Sequence, residues 1–163
     1  MTVRPATEAD HGDLVRLIAE FRVSLAALGD RTAQPDAKAA AAELAEYQGR
    51  KFPVFVADVG DEGLAGYLVC RVDRDVVWAE SMFVLPHCRR RGIASALYDQ
   101  AERLAAKVGG QTVFNWIHPN NDAIIAFLGK RGYDVLNLIE VRRPVSDAPA
   151  TGTIKVGNHK FRH

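Results

Sequence analysis

The chain has 163 residues, 48% hydrophobic and 25% charged, which is the size and balance of one folded globular domain and not of a disordered chain. Its 21 basic residues nearly cancel its 20 acidic ones, so the net charge of +1 gives no overall pull toward nucleic acid or an anionic membrane. No apolar run is long enough to span a bilayer, and the opening Met-Thr-Val-Arg-Pro lacks the apolar segment of a secretory leader, so the expected location is cytoplasmic.

In chain order, Val3 to Ala6 reads as a short strand, and Thr7-x-x-Asp10 as a capping box opening a helix. Leu14, Leu17, Ile18, Phe21, Leu25 and Leu28 form that helix's apolar stripe, and Gly29 ends it. A second helix begins near Pro35 and Asp36. It is rich in alanine and has few large apolar residues before Tyr47, so it is expected to pack lightly, either as a movable cover over a cleft or as a plain surface helix. Phe52 to Val59 and Leu64 to Val72 are β-rich runs around Gly60-Asp-Glu-Gly63, a hairpin signal. After a turn crowded with Arg71, Asp73, Arg74 and Asp75, Val76 to Leu85 supplies the third strand of an antiparallel meander.

The next connection is short. Pro86 ends the strand, and a helical face of Ile93, Leu97, Ala101, Leu104 and Val108 follows. A helix start leaves about four backbone N–H groups without internal partners, at the positive end of the helix dipole. With no Cβ at Gly92 and only a methyl at Ala94, a diphosphate could reach those amides, and Arg89, Arg90 and Arg91 add charge beside them. The plainer reading is an ordinary turn with a solvated arginine run. There is no Gly-x-x-x-x-Gly-Lys-Ser/Thr, and no Gly-x-Gly-x-x-Gly follows a strand, so the usual signals of ATP hydrolysis and dinucleotide binding are missing.

Gly109-Gly110 closes that helix, and Thr112 to Ile117 reads as a strand. After His118-Pro-Asn-Asn121, Asn121 is a fitting N-cap for a helix bearing Ile124, Ile125 and Leu128 and ending at Gly132. Tyr133 to Val141 resumes strand character. Arg142 to Gly152, with Pro144 and Pro149, is a connector, and Thr153 to Phe161 is a last strand with a turn at Gly157-Asn158. Cys70 and Cys88 form no Cys-x-x-Cys, so neither a metal site nor a disulfide framework is indicated. Cys88, beside three arginines and near a helix start, is either a thiol of lowered pKa or simply a small loop residue.

Arg89-x-x-Gly92-x-Ala94, opening a helix after a strand that ends Val84-Leu-Pro86, resembles the acyl-coenzyme A loop of the GNAT superfamily of acetyltransferases. Asn121-Asp-Ala-Ile-Ile-Ala-Phe-Leu-Gly-Lys-Arg-Gly-Tyr133 resembles that family's second signature, one helix and one strand downstream, and the opening Val-Arg-Pro-Ala-Thr-Glu-Ala-Asp is similar to a GNAT start. The resemblance implies a mixed α/β fold, with a mostly antiparallel twisted sheet of about six to seven strands flanked by about four helices. It covers most of the chain, most sharply from Glu80 to Tyr133, and implies a single domain over residues 1–163, with the coenzyme-binding core at about 76–133 and the tail, 142–163, as an added strand.

Acetyl-CoA is the implied cofactor. Arg89, Arg90, Arg91, Gly92, Ile93, Ala94 and Ser95 would hold its pyrophosphate, Phe83, Val84 and Leu85 would pair with its pantetheine arm, the Val84 N–H would polarise the acyl carbonyl, and Asn121 would lie beside the coenzyme. Where the family often has a tyrosine that protonates the departing thiolate, this chain has Leu128, which cannot.

Acetyl transfer to an amine needs a neutral nucleophile and a group to take its proton. Alternation puts Trp78, Glu80, Met82 and Val84 on one face, where apolar neighbours would raise the pKa of Glu80 and make it a base; alternatively Glu80 is an exposed polar residue or a partner of Arg71. His118 is a second candidate base, or a loop-positioning residue. No nucleophile motif argues for a covalent relay. The expected activity is direct acetyl transfer from acetyl-CoA to a primary amine of a small molecule, an amino acid, or a protein N-terminus or lysine. Two other readings are a non-catalytic acyl-CoA sensor, in keeping with Leu128, and a nucleic-acid binder using Arg89 to Arg91, against which the balanced charge counts. No membrane partner is expected. Edge or tail strands could pair two protomers into a homodimer.

Overall fold

The computed structural model describes residues 1–143 and 152–162. Along the chain run β1 (Thr2–Pro5), α1 (His11–Leu28), α2 (Ala37–Gly49), β2 (Val54–Asp58), β3 (Leu64–Asp73), β4 (Val76–Val84), α3 (Ile93–Lys107), β5 (Val113–Asn115), α4 (Asp122–Lys130), β6 (Thr153–Val156) and β7 (His159–Arg162). The four helices and seven strands match the mixed α/β expectation. Five strands form one sheet in the order β1-β2-β3-β4-β5, and β6 and β7 form a separate hairpin around Gly157-Asn158. Pairing is antiparallel from β1 to β4, and β5 lies parallel to β4, the crossover this requires being made by α3. Among the described residues no helix is long and apolar enough to cross a membrane.

The residues fall into two compact units, Met1–Leu25 with Thr32–Trp116, and Ala26–Arg31 with the described residues from Ile117 onward. In the first unit, Leu14, Leu17 and Ile18 of α1 and Ala40 and Leu44 of α2 share a buried core with Val56, Tyr67, Val69 and Phe83 of the sheet. Each fully buried leucine or isoleucine there contributes roughly 1.5–3 kcal/mol. Of α2 only Ala40 and Leu44 are buried, so the helix packs lightly, as its alanine content predicts. The stripe of α1 drifts by one residue at its end. Leu25 is exposed and Ala26 buried, because a 3.6-residue period falls out of step with a long row of leucines. On the sheet's other face α3 packs against β2, β3 and β4, and its buried set is Ile93, Leu97, Tyr98, Ala101 and Ala105.

The capping box at Thr7 forms, with Asp10 Oδ2 accepting from the Thr7 amide at 2.7 Å, and it opens a single 3-10 turn ahead of α1. In the second unit Asn121 caps α4, its side chain accepting from the Ile124 amide at 3.3 Å. Leu128 is buried, and its carbonyl accepts from the Tyr133 amide at 3.0 Å. Two strand expectations need correction. The strand expected over 112–117 shortens to Val113–Asn115, and residues 133–143 carry no regular structure, with Val135, Leu136, Leu138, Ile139 and Val141 exposed. Their apolar character alone resembled a strand, but among the described residues they have no ladder partner. The connector expected at 142–152 lies mostly outside the described residues.

Candidate active site

The geometry that matters is at the far end of β4. Its parallel pairing with β5 covers only Val77 to Ala79, so from Glu80 to Val84 one edge of β4 has no neighbouring strand among the described residues. On its other edge Ser81 pairs with Val69 but Ala79 with Cys70, leaving Glu80 as an extra, bulged residue. The inserted residue reverses the alternation. Trp78 therefore shares the α1 and α2 face with Ser81 and Phe83, while Ala79, Met82 and Val84 face α3, which corrects the expected single row of Trp78, Glu80, Met82 and Val84.

Beyond the bulge, the Leu85 amide donates to the Ala65 carbonyl at 2.9 Å, so Leu85 bonds back to β3. In an antiparallel ladder the hydrogen-bonded rungs alternate, so Phe83 also bonds to β3, while Val84, opposite Gly66, turns its N–H and C=O to the open edge. The Val84 carbonyl there accepts from Arg89 Nε at 3.0 Å. Gly66 is required at this rung, because a Cβ on it would lie 2.5 Å from the Phe83 carbonyl oxygen.

The strand leads through Pro86–Cys88, one turn of 3-10 helix, to Gly92, the N-cap of α3. Arg90 and Gly92 both have left-handed backbones, with φ of 63° and 80°. Nothing lies within 4 Å of where a Cβ on Gly92 would sit, so the space in front of the helix start is open. The Ala96 amide bonds to the Gly92 carbonyl at 3.0 Å, and ahead of it the amides of Ile93, Ala94 and Ser95 have no acceptor among the described residues. The open strand edge and a cradle of bare amides that begins at a glycine fit an extended chain ending in a diphosphate.

The three arginines separate. Arg89 is held back on the strand, bonded to Val84 and lying 5.7 Å over the Phe83 ring. Arg91 pairs with Glu62 at 3.2 Å, each raising or lowering the other's pKa toward the charged form, and Arg90 is exposed. The Phe83 and Ile93 side chains are core, so only their backbones can face a ligand. Leu85, Ala94 and Ser95 are half-buried. Cys88 is buried, its Sγ 3.9 Å from Arg91 Nη1, and burial pushes the Cys70 thiol up to about 12.

Glu80 is three-quarters buried, and its Oε2 lies 3.5 Å from Arg71 Nε. Of the readings left open for Glu80, partnership with Arg71 is the one observed. The pair makes no hydrogen bond, and Arg71 Nε is a buried donor without an acceptor among the described residues. The guanidinium sits 5.1 Å from the Trp78 ring and 5.0 Å from that of Trp116, and the two indoles are 5.3 Å apart. Deeper on the same face Tyr67 Oη and Ser81 Oγ are 2.8 Å apart. Tyr47 Oη donates to Glu43 Oε1 at 2.6 Å, and Arg22 Nη1 donates to the other oxygen at 2.7 Å. Burial and then the Glu43 carboxylate push the Tyr47 phenol well up, with Ser81 and Glu80 also acting on it.

Sequence reasoning did not single out Glu43, Tyr47, Ser81 or Trp116. They meet across separate elements and form no motif. His118 accepts from the Asn120 amide at its Nδ1, 3.2 Å away, and Asn120 Nδ2 donates to the Leu28 carbonyl at 2.8 Å, which supports the loop-positioning reading. Among the described residues no cluster could hold a metal ion.

A sequence profile of the acetyltransferase (GNAT) family matches residues 21–133, and the chain belongs to that family. Its fold is similar to that of AAC(6')-Iy in complex with the bisubstrate analogue CoA-S-monomethyl-acetylneamine, at 19% identity and a TM-score of 0.70, with 89% of this chain and 98% of the other covered. It is also similar to the aminoglycoside antibiotic 6'-N-acetyltransferase AAC(6')-Ih from Acinetobacter baumannii, at 17% identity and 0.69, covering 89% and 99%. A putative acetyl transferase from Pyrococcus furiosus matches at 22% identity and 0.67, covering 88% and 99%. No curated protein matches it in sequence.

Proposed function

We propose that this protein transfers an acetyl group from acetyl-CoA directly to a primary amine. The observation that carries this reading is the open edge of β4 at Val84 running into the bare amides that follow Gly92. That arrangement supports a pantetheine arm along Phe83 to Leu85, met at the backbone of Val84, and a pyrophosphate on the amides of Ile93, Ala94 and Ser95. Arg90 is the arginine left to face phosphate, whereas Arg89 braces the strand end and Arg91 answers Glu62. For Asn121 the reading rests on the family signature alone.

When bound, acetyl-CoA supplies an activated acyl carbon. The outward N–H of Val84 would donate to its carbonyl oxygen, and Glu80 would take the ammonium proton, freeing the amine lone pair to form the C–N bond as the C–S bond breaks. Leu128 is core and offers no proton, so the thiol draws its proton from solvent or from the incoming amine. The closing experiment is calorimetric titration with coenzyme A, followed by thiol release from acetyl-CoA against a panel of amines. Binding with amine-dependent release supports the reading, binding without release favours the sensor alternative, and no binding overturns both.

The nucleic-acid reading loses ground because two of its three arginines are engaged with the protein. We further propose self-association through an edge strand of the sheet or through the tail strands β6 and β7. Sedimentation velocity of the full chain tests it, and a single monomeric species over a wide concentration range overturns it.

A further inference from the structure

We infer that Arg71 recognises a carboxylate on the acceptor, so that the amine this enzyme acetylates belongs to a free amino acid. The inference rests on the acetyl-transfer reading above and narrows it. Arg71 and Glu80 form a cation and an anion 3.5 Å apart on neighbouring strands, beside the end of β4 that faces the open edge. At neutral pH a free amino acid is a zwitterion of matching polarity, with its ammonium toward Glu80 and its carboxylate toward Arg71.

The guanidinium is built to read a planar anion. Trp78 and Trp116 lie side by side against it, and it makes no hydrogen bond to any described residue although its side chain is 26% exposed. Its hydrogen bonds are not closed by the described residues. The buried Nε donor has no acceptor among them and the carboxylate stands 3.5 Å from it without a hydrogen bond, leaving the terminal nitrogens of Arg71 available to a ligand. Trp116, 67% exposed, adds an aromatic surface beside them for the body of the acceptor. A polyamine offers nothing to Arg71, and a protein N-terminus or lysine carries no carboxylate at that distance from its nitrogen.

The test compares each standard amino acid with its decarboxylated amine as acceptor, after coenzyme A binding has been established by calorimetry. At least one amino acid is expected to show a kcat/KM about 10- to 100-fold above that of its decarboxylated counterpart, carried mainly by KM. In Arg71→Gln that ratio falls to near one, and Arg71→Lys, which keeps the charge but loses the fork, restores part of it. Decarboxylated amines used as well as amino acids, no amino acid used at all, or an R71Q ratio equal to the native one each overturns the inference while leaving the acetyl-transfer reading intact. Loss of coenzyme binding in the native protein instead overturns that reading and this inference with it.

Discussion

Arg89 Nε donates to the carbonyl oxygen of Val84 at 3.0 Å, on the edge of β4 that β5 leaves unpaired. The first arginine of the loop is therefore a brace for the strand. Removing it should act on geometry. Arg89→Gln is expected to lower stability by about 1.5 kcal/mol, the value of a half-buried hydrogen bond from a charged donor. It should also weaken coenzyme A binding while leaving the salt dependence of that binding unchanged. Calorimetry at several ionic strengths separates this from a direct phosphate contact, whose loss would flatten the salt dependence.

Gly92 tests the cradle itself. Its φ of 80° disfavours any side chain, but no atom stands within 4 Å of its missing Cβ, so a substitution meets strain without a clash. Gly92→Val should cost about 1–2 kcal/mol in stability and, with its branched side chain in the space before the amides, lower coenzyme A affinity by more than tenfold. Gly92→Ala should show similar strain with a smaller loss of affinity. Calorimetric titration of both variants, alongside thermal melts, gives the comparison, and equal affinities in the two would move the phosphate elsewhere.

The elements legible in the sequence were those with local causes. Asp36 and Asn121 cap their helices through side chains three residues from the amides they meet, and Gly60-Asp-Glu-Gly63 joins two strands of opposite direction. The loop after Pro86 was legible for the same reason. The bulge at Glu80 was not, because whether β3 and β4 lose step between Val69 and Cys70 is decided by pairing across the sheet, and no residue type in β4 announces it. That one step governs the site, since it moves Trp78 across to join Arg71 and sets Glu80 against the same cation. The apolar run from Val135 to Val141 misled in the opposite way, as β propensity has no effect without a ladder to join.

Stability below neutral pH should depend on Asp10. This 6% exposed carboxylate accepts from Arg4 Nη1 and Nη2 at 2.8 and 2.9 Å and from the Thr7 amide and hydroxyl, and Arg4 first, then Thr7, hold its pKa well below the usual carboxylate range against the cost of burial. A depressed pKa stabilises the fold fully above the unfolded value of about 3.9 and ceases to do so as pH falls through the folded value. Asp10→Asn is therefore expected to lose about 2 kcal/mol at pH 7 and to show a shallower decline in stability below pH 4 than the native chain. Urea titrations from pH 7 to pH 2 measure both effects. Parallel acid limbs in the two proteins would remove Asp10 from the linkage.

Glu80 carries the chemistry of the proposal, and its surroundings make the prediction specific. Arg71 stands 3.5 Å away without a hydrogen bond, so the carboxylate is oriented by charge yet keeps its lone pairs free for a proton. Glu80→Gln preserves shape and the polar contact but cannot accept the ammonium proton. Turnover is expected to fall about 10²- to 10⁴-fold, with coenzyme A affinity kept, and the acid limb of the kcat/KM profile assigned to the base should disappear. Raising pH should then restore part of the rate, because an amine deprotonated in solution no longer needs the carboxylate. A variant whose profile keeps the native shape at reduced height would show that Glu80 positions Arg71 and that water takes the proton.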